Sequence, residues 1–400
     1  MEMSKLGFKM KKKIILFIKI GIILVGIVVG GLYMNKQGIT IQDLLSTNFL
    51  GIVSAVEWQV NTSVWDGPTS NFSTNAQDTQ LQGLFFKSDG TKMYVVGEAN
   101  DRVYQYSLST PWMINTSIWD GPTSNFSVAS QDTGLQGLFF NSSGNKMYII
   151  GITNDRVYSY TLSTPWQVNT SVWDGPTSNF SVGSQDGVPT GLFFKSDGTK
   201  MYTAGSTNSI IHSYTLSTPW QVNTSVWDGS ASNFSVASQI PSGMGDLFFK
   251  SDGIKMYITG NIGIVFQYTL STPWQVNTSV WDGSASNFSV AAQDEFVRGL
   301  FFKSDGTKMY IAGNSNKRVY SYTLPDIQSP QWSSNSTNGT QAGTFIEHSV
   351  NWTDNIALSG YIFEFNNGTS YSNDSFVLFS GTQNWSNVSK WVNTTSGTSI

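Results

Sequence analysis

The chain is 400 residues long, with 14 % aromatic and only 12 % charged residues, a net charge of −4 and no cysteine. Such a length suggests two or three domains with ample chain for a core, and the thinly spread charge argues against a basic nucleic-acid-binding face. The lack of cysteine excludes disulfides and thiolate chemistry, while abundant Gly, Ser, Thr and Asn suit short strands joined by tight turns.

Residues 1–13 are a basic segment with Lys5, Lys9, Lys11, Lys12 and Lys13. Ile14–Met34 is apolar except for Lys19, and it has about the 20 residues that a membrane helix needs. Lys19 sits near one end, where its amine can reach the headgroups. The positive-inside rule places the lysines in the cytoplasm and the bulk of the chain outside, on a single-pass cell-membrane anchor. No small-x-small cleavage site follows the apolar run directly, which favours an uncleaved signal-anchor; secretion after signal cleavage is the alternative. Residues 35–55 form a linker.

Residues 56–325 hold one unit repeated five times, opening at Trp58, Trp112, Trp166, Trp220 and Trp274, each 54 residues after the last. In the third copy, Gly191–Phe194, Lys200–Ala204 and Ile210–Leu216 read as strands, and the Trp-rich half supplies a fourth around Ser178–Val182, extended or flanked by Ser171–Trp173. Asp197-Gly198 between apolar runs predicts a type I′ hairpin turn, and the same turn recurs at Asp89-Gly90, Asp252-Gly253 and Asp305-Gly306. Four antiparallel strands in a repeat of this size indicate a β-propeller blade. The array enters on the Trp-rich strand and leaves after Arg318–Leu324. The first outer strand can therefore pair with the last third strand and close a five-bladed ring without an exposed sheet edge.

The run GLFFKSDGTKMYVVG…DRVYQYSLSTPW resembles the repeats of surface-layer-type β-propeller proteins of bacteria, archaea and phages. The resemblance implies a propeller; its relatives share a superfamily with lactonases and other enzymes, so it implies little about activity. Residues 326–400 begin with a Pro-bounded linker and continue with strand-like GTFIEHSVNWTD, LSGYIFEFNNG and SFVLFSG. They look similar to the immunoglobulin-like or fibronectin-like modules of archaeal surface proteins, and about 70 residues is short for such a sandwich. The expected architecture is all-β: a five-bladed propeller, an N-terminal transmembrane helix and a C-terminal β-sandwich-like module that is incomplete.

Residues able to do chemistry are few. His212 stands where the other repeats have Tyr104, Tyr158, Phe266 and Tyr320 and reads as a packing residue, and His348 has no evident partner. The Trp-Asp-Gly aspartates Asp66, Asp120, Asp174, Asp228 and Asp282 read as turn residues, with a cation-binding ring the alternative. The repeat tryptophans read as blade-interface packing, with sugar stacking the alternative. No carboxylate pair, metal cluster, phosphate loop or nucleophile elbow is recognisable. No catalytic residue, metal or cofactor is expected, and the chain reads as non-enzymatic.

The repeats diverge in the loops entering the first strand and in those joining the second to the third. In an up-and-down blade both loops lie on one face, around the channel mouth. Relaxed constraint and a ligand surface both explain the divergence. A ligand surface would hold Asp101, Arg102, Asp155, Arg156, Glu295, Arg298, Lys317 and Arg318, and these include all four arginines of the chain. A guanidinium fork suits carboxylates and sugar hydroxyls. Each repeat also carries two N-x-S/T sequons, among nineteen in all, explained by composition or by glycosylation of an exported chain. The reading is a glycoprotein of the cell surface that acts in binding, adhesion or surface structure. Its partners would be a cell-surface glycan or protein and, through the N-terminal helix, the membrane, with no nucleic acid. A lactonase-like or other propeller hydrolase and a lectin-like multivalent glycan binder are the alternatives.

Overall fold

The computed structural model describes residues 8–9, 58–324, 330–338, 343–354, 358–366 and 371–391. The expected apolar anchor at 14–34, the linker at 35–55 and most of the basic segment at 1–13 lie outside the described residues. Among the described residues, no helix is long and apolar enough to cross a membrane. The chain divides into two units, Trp58–Pro325 and the remainder.

Trp58–Pro325 folds as five antiparallel sheets, one per repeat. In blade 1 the first strand is Leu81–Phe86, the second Lys92–Gly97 and the third Arg102–Leu108. The fourth is split into Ser117–Trp119 and Asn125–Ser127, both paired with the third. The first strands of the other blades are Leu135–Phe140, Pro189–Phe194, Met244–Phe249 and Val297–Phe302. Each packs against the first strands of two neighbouring blades, and the cycle returns to Leu81–Phe86. The first strands therefore surround a central axis, and the array is a closed five-bladed propeller.

Closure uses the two ends of the array. Val64 and Trp65 pair with Thr323 and Tyr322, and Asn71, Phe72 and Ser73 pair with Tyr320, Val319 and Arg318. The last blade thus takes its outer strand from the first repeat and leaves no unpaired third strand, the liability that closure removes.

Repeat tryptophans join successive blades. The Trp166 ring lies 5.5 Å from Phe140 of its own blade and 6.5 Å from Phe85 of the blade before. Its carbonyl accepts the Tyr94 hydroxyl at 2.8 Å. The same bond recurs from Tyr148 to Trp220, Tyr202 to Trp274, Tyr257 to Trp58 and Tyr310 to Trp112. Packing, not sugar stacking, accounts for these rings. The Asp-Gly turns are not type I′, because only the glycine takes a positive φ. Gly90 (φ +73°) donates to the Lys87 carbonyl, Asp89 Oδ1 accepts the Thr91 N–H, and the Trp112 ring lies where a Cβ on Gly90 would be. A longer loop with one left-handed residue meets that packing, and the two-residue I′ turn does not.

The second unit contains two small antiparallel sheets. One is Gln331–Thr337, Phe345–Thr353 and Gln383–Trp391. In the other, Gly360–Asn366 pairs with Tyr371–Asn373, Val377–Leu378 and the two-residue strand Phe8–Lys9. Val350, Trp352 and Leu358 form its buried cluster.

Candidate functional site

The antiparallel order puts the loop entering the first strand and the second-to-third turn of each blade on one face of the ring. In four blades the two loops are locked together by a buried aspartate. Asp78 Oδ1 accepts the N–H groups of Gln80 and Ala99, and Oδ2 accepts that of Asn100, at 2.9–3.2 Å. Asp132, Asp186 and Asp294 repeat the arrangement. Blade 4 has the buried Ile240 instead and a shorter turn through Gly263. The variable loops therefore share one backbone form in four blades, and what diverges is their outward side chains. These aspartates lie in the QD of the loop sequences, and their repetition was the available signal for their structural role.

Most of the expected site residues lie away from the axis, at the outer part of this face. Arg102, Arg156 and Arg318 begin the third strands, and each Nη1 donates to an asparagine of its own outer strand, Asn125, Asn179 and Asn71. In blades 3 and 4 the position is Ile210 or Ile264. There the equivalent Asn233 and Asn287 accept Trp227 Nε1 and Trp281 Nε1 instead, at 3.2 and 3.1 Å. Correspondingly, the Nε1 atoms of Trp65, Trp119 and Trp173 are without partners. Three of the four arginines thus belong to a structural exchange between arginine and tryptophan. Asp101, Asp155 and Lys317 occupy the left-handed position of the turn (φ 48–52°), and Lys317 Nζ donates to the Ser315 carbonyl at 2.8 Å. Glu295 is exposed beside them.

Arg298 differs. It is the second residue of its first strand, where the other blades have Gln82, Gln136, Thr190 and Gly245, close to the axis. Its Nη1 makes one long bond, 3.4 Å, to the Met244 carbonyl of blade 4, and its Nε has no partner. Burial lowers the guanidinium pKa, and the Glu98 carboxylate pulls it back up. Glu98 takes a hydrogen bond from Gln82 Nε2. Burial raises its pKa, against bonds from Gln82 and Gln136 and the Arg298 charge, which lower it. Gln82 and Gln136 are 5 % exposed, and Gln82 Oε1 is unpartnered. Three blades thus bring a guanidinium, a carboxylate and two amides together at the mouth.

Blade 4 carries Asp246 at the next position of its first strand. The third residue of the first strand is glycine in the other blades, because neighbouring backbones pass too close for a side chain; a Cβ on Gly299 would meet Leu84 N at 2.9 Å. Asp246 instead sends its carboxylate to the Leu247 and Leu300 N–H groups at 2.8 and 3.0 Å. Burial drives its pKa up to about 7, even though the two N–H bonds lower it.

Below the polar cluster, Phe85, Phe139, Phe193, Phe248 and Phe301 form a closed ring of edge-to-face contacts at 5.2–5.5 Å. Three residues along a strand are roughly 10 Å, so this apolar ring floors a polar mouth. Sequence reasoning found Arg298 but missed Gln82, Gln136, Asp246 and the role of Glu98. Their signal was divergence inside a strand, not in a loop.

The Trp-Asp-Gly aspartates bind lysines, not a cation. Asp66, Asp120, Asp174, Asp228 and Asp282 each pair with a second-strand lysine at 2.7–2.8 Å. Among the described residues, no group of three or more His, Asp or Glu is placed to hold a metal.

No known protein family matches the sequence, and no curated protein matches it. Solved structures similar to this chain include a putative 6-phosphogluconolactonase from Bacteroides fragilis (10 % identity, covering 76 % of this chain and 72 % of that one, TM-score 0.37). A luciferin-regenerating enzyme (9 %, 63 % and 94 %, TM-score 0.38) and the Myceliophteria thermophila Cps50 (Swd1) β-propeller domain (9 %, 59 % and 66 %, TM-score 0.33) are others. These likenesses concern the fold; the surface-layer and immunoglobulin-like resemblances find no matching family. The expectation of a non-enzymatic chain is corrected, because two of these similar structures are described as enzymes, one of them putatively. The fold is shared by catalytic and binding propellers, and function is not fixed by it.

Proposed function

We propose that the ring is a recognition propeller of the cell surface whose single site lies at the channel mouth and takes an acidic sugar or a related small hydroxy acid. The observation that carries this is Arg298, a guanidinium near the axis with one long hydrogen bond and an unpartnered Nε, set beside Glu98, Gln82 and Gln136. A guanidinium fork suits a carboxylate, and a carboxylate with two amides suits hydroxyls. Pockets with a few convergent polar groups over apolar walls are the usual form of small-ligand sites. The site is built from unlike residues of several blades, so it is one site and not five, which disfavours a multivalent lectin.

Titration calorimetry of the full chain against acidic and neutral monosaccharides tests the reading. Saturable binding of acidic sugars, lost in Arg298→Ala and kept in the triple variant Arg102→Ile/Arg156→Ile/Arg318→Ile, is the expected result. Loss in the triple variant with retention in Arg298→Ala would move the site to the outer part of the face. Mass spectrometry of the ligand after incubation reads any turnover at the same site.

Surface display through residues 14–34 is part of the proposal, with the C-terminal sheets as an immunoglobulin-like spacer. A span there would separate Phe8 and Lys9 from that module, whereas they pair with Phe363 and Ile362. The anchored chain is therefore one in which Phe8 and Lys9 have left that pairing. Carbonate-resistant membrane association of the full chain is the outcome the anchor requires.

A further inference from the structure

Each repeat carries two asparagines in N-x-S context, and the fold treats them differently. We infer that the ring bears N-linked glycans on the first set, Asn61, Asn115, Asn169, Asn223 and Asn277, and excludes them from the second, Asn71, Asn125, Asn179, Asn233 and Asn287.

The first set projects outward. Each of these asparagines is the middle residue of a one-turn 3-10 helix, Val60–Thr62 and its four equivalents. The flanking residues do the anchoring. Val60, Ile114, Val168, Val222 and Val276 are buried, and in each turn the threonine hydroxyl donates back to the carbonyl three residues earlier, as Thr62 does to Gln59 at 2.7 Å. All five asparagines are exposed. Asn61 donates to the Ala285 carbonyl at 2.8 Å on the surface. A glycosylated amide keeps one N–H and can still make that bond.

The second set is built into the blade. Asn71, Asn125 and Asn179 are held at both ends, donating from Nδ2 to the carbonyls of Pro68, Pro122 and Pro176 at 2.7–2.8 Å and accepting the arginines already described. Asn233 and Asn287 accept the tryptophan Nε1 donors. All five lie in or beside the short outer strand and are half-buried. A glycan is bulky and strongly hydrated; seated at these half-buried side chains it would displace the clamp that sets the outer strand on the third in the three arginine blades, and the bond within the outer strand in the other two. Asn141, a further sequon, is buried and bonded to Asn145.

The test supplies the export that glycosylation requires. The full chain is secreted from a eukaryotic cell line behind a cleavable leader. Site occupancy is mapped by mass spectrometry, after enzymatic deglycosylation in heavy-oxygen water, on secreted and on cell-retained protein. The expected result is occupancy of the first set at least several-fold above the second in secreted protein, with second-set glycans confined to retained chains. Replacing the first five asparagines by glutamine removes the ring glycans and leaves the melting temperature of the deglycosylated protein unchanged. Replacing the second five lowers it. Comparable occupancy of both sets in the secreted protein, or a bare first set, overturns the inference.

Discussion

Asp246 makes the stability of this ring depend on pH in a direction opposite to that of the lysine-paired aspartates. Its folded pKa, about 7, lies roughly three units above the ordinary 3.8 because the group is buried. Below about pH 4 it is protonated in both states and costs nothing. Between about 4 and 7 the unfolded chain releases the proton and the folded chain keeps it, so stability falls as pH rises. At about 1.4 kcal/mol per unit the loss reaches about 4 kcal/mol above pH 7, on the order of 10 °C in melting temperature for a domain of this size. Asp66, Asp120, Asp174 and Asp228 work the other way. Burial would raise their pKa values, but bonds from lysine and neighbouring polar side chains hold them below the usual range. Their contribution is present above about pH 4 and lost below it. A difference measurement separates the two effects. Calorimetry of the wild type and of Asp246→Gly, the residue of the other four blades, should give a melting difference that moves progressively in favour of the variant from pH 4 to 7.5. A difference that stays flat across that interval would refute the assignment, whatever its constant offset from the lost N–H bonds.

Three further outcomes are expected. His212 is buried with no well-formed hydrogen bond to its ring, and burial lowers its pKa against the Asp186 charge and the Asn233 side chain; His212→Phe, the residue of blade 4, should gain about 1–3 kcal/mol. That gain should grow as pH falls below about 6.5, where the unfolded histidine takes up a proton that the folded one resists; calorimetry at pH 8 and 5.5 reads both. Gly90→Ala forces a side chain into a left-handed position and against the Trp112 ring at 2.5 Å, and it should cost about 2–4 kcal/mol in urea unfolding. Arg318→Ile should cost under about 1 kcal/mol, because Asn71 can turn to Trp65 Nε1 as its counterparts do in blades 3 and 4; tryptophan emission and urea unfolding together report the exchange.

The architecture was legible because repetition averages out local ambiguity. Five copies of LFF, KMY and the alternating aromatic strand fix the strand period, and the phase of the first and last copies fixes the closure through Val64–Trp65 and Asn71–Ser73. The turn type was not legible, since Asp-Gly is compatible with more than one loop length and the Trp112 ring against Gly90 is a contact between distant parts of the repeat. The arginines misled for a related reason. Arg102, Arg156 and Arg318 are polar and variable among repeats, yet their variation tracks the bonding of Asn125, Asn179 and Asn71 within the same blade.

Distance from the ring axis separates structural variation from variation able to build a site. At the outer part of the ring, a change in one blade can be answered only within that blade, as Ile210 is answered by the Trp227–Asn233 bond. Near the axis, first strands from neighbouring blades pass within contact of one another, and residues of different blades can meet one ligand. Repeats that keep LFF unchanged on those strands while placing Gln82, Gln136, Thr190, Gly245 and Arg298 just before it have broken their symmetry at the one radius where a shared site can form. The polar mouth therefore follows from the same strands that make the apolar ring. Ring packing holds Phe85 and its four counterparts identical, while the residue three positions earlier lies outside that packing and can differ from blade to blade.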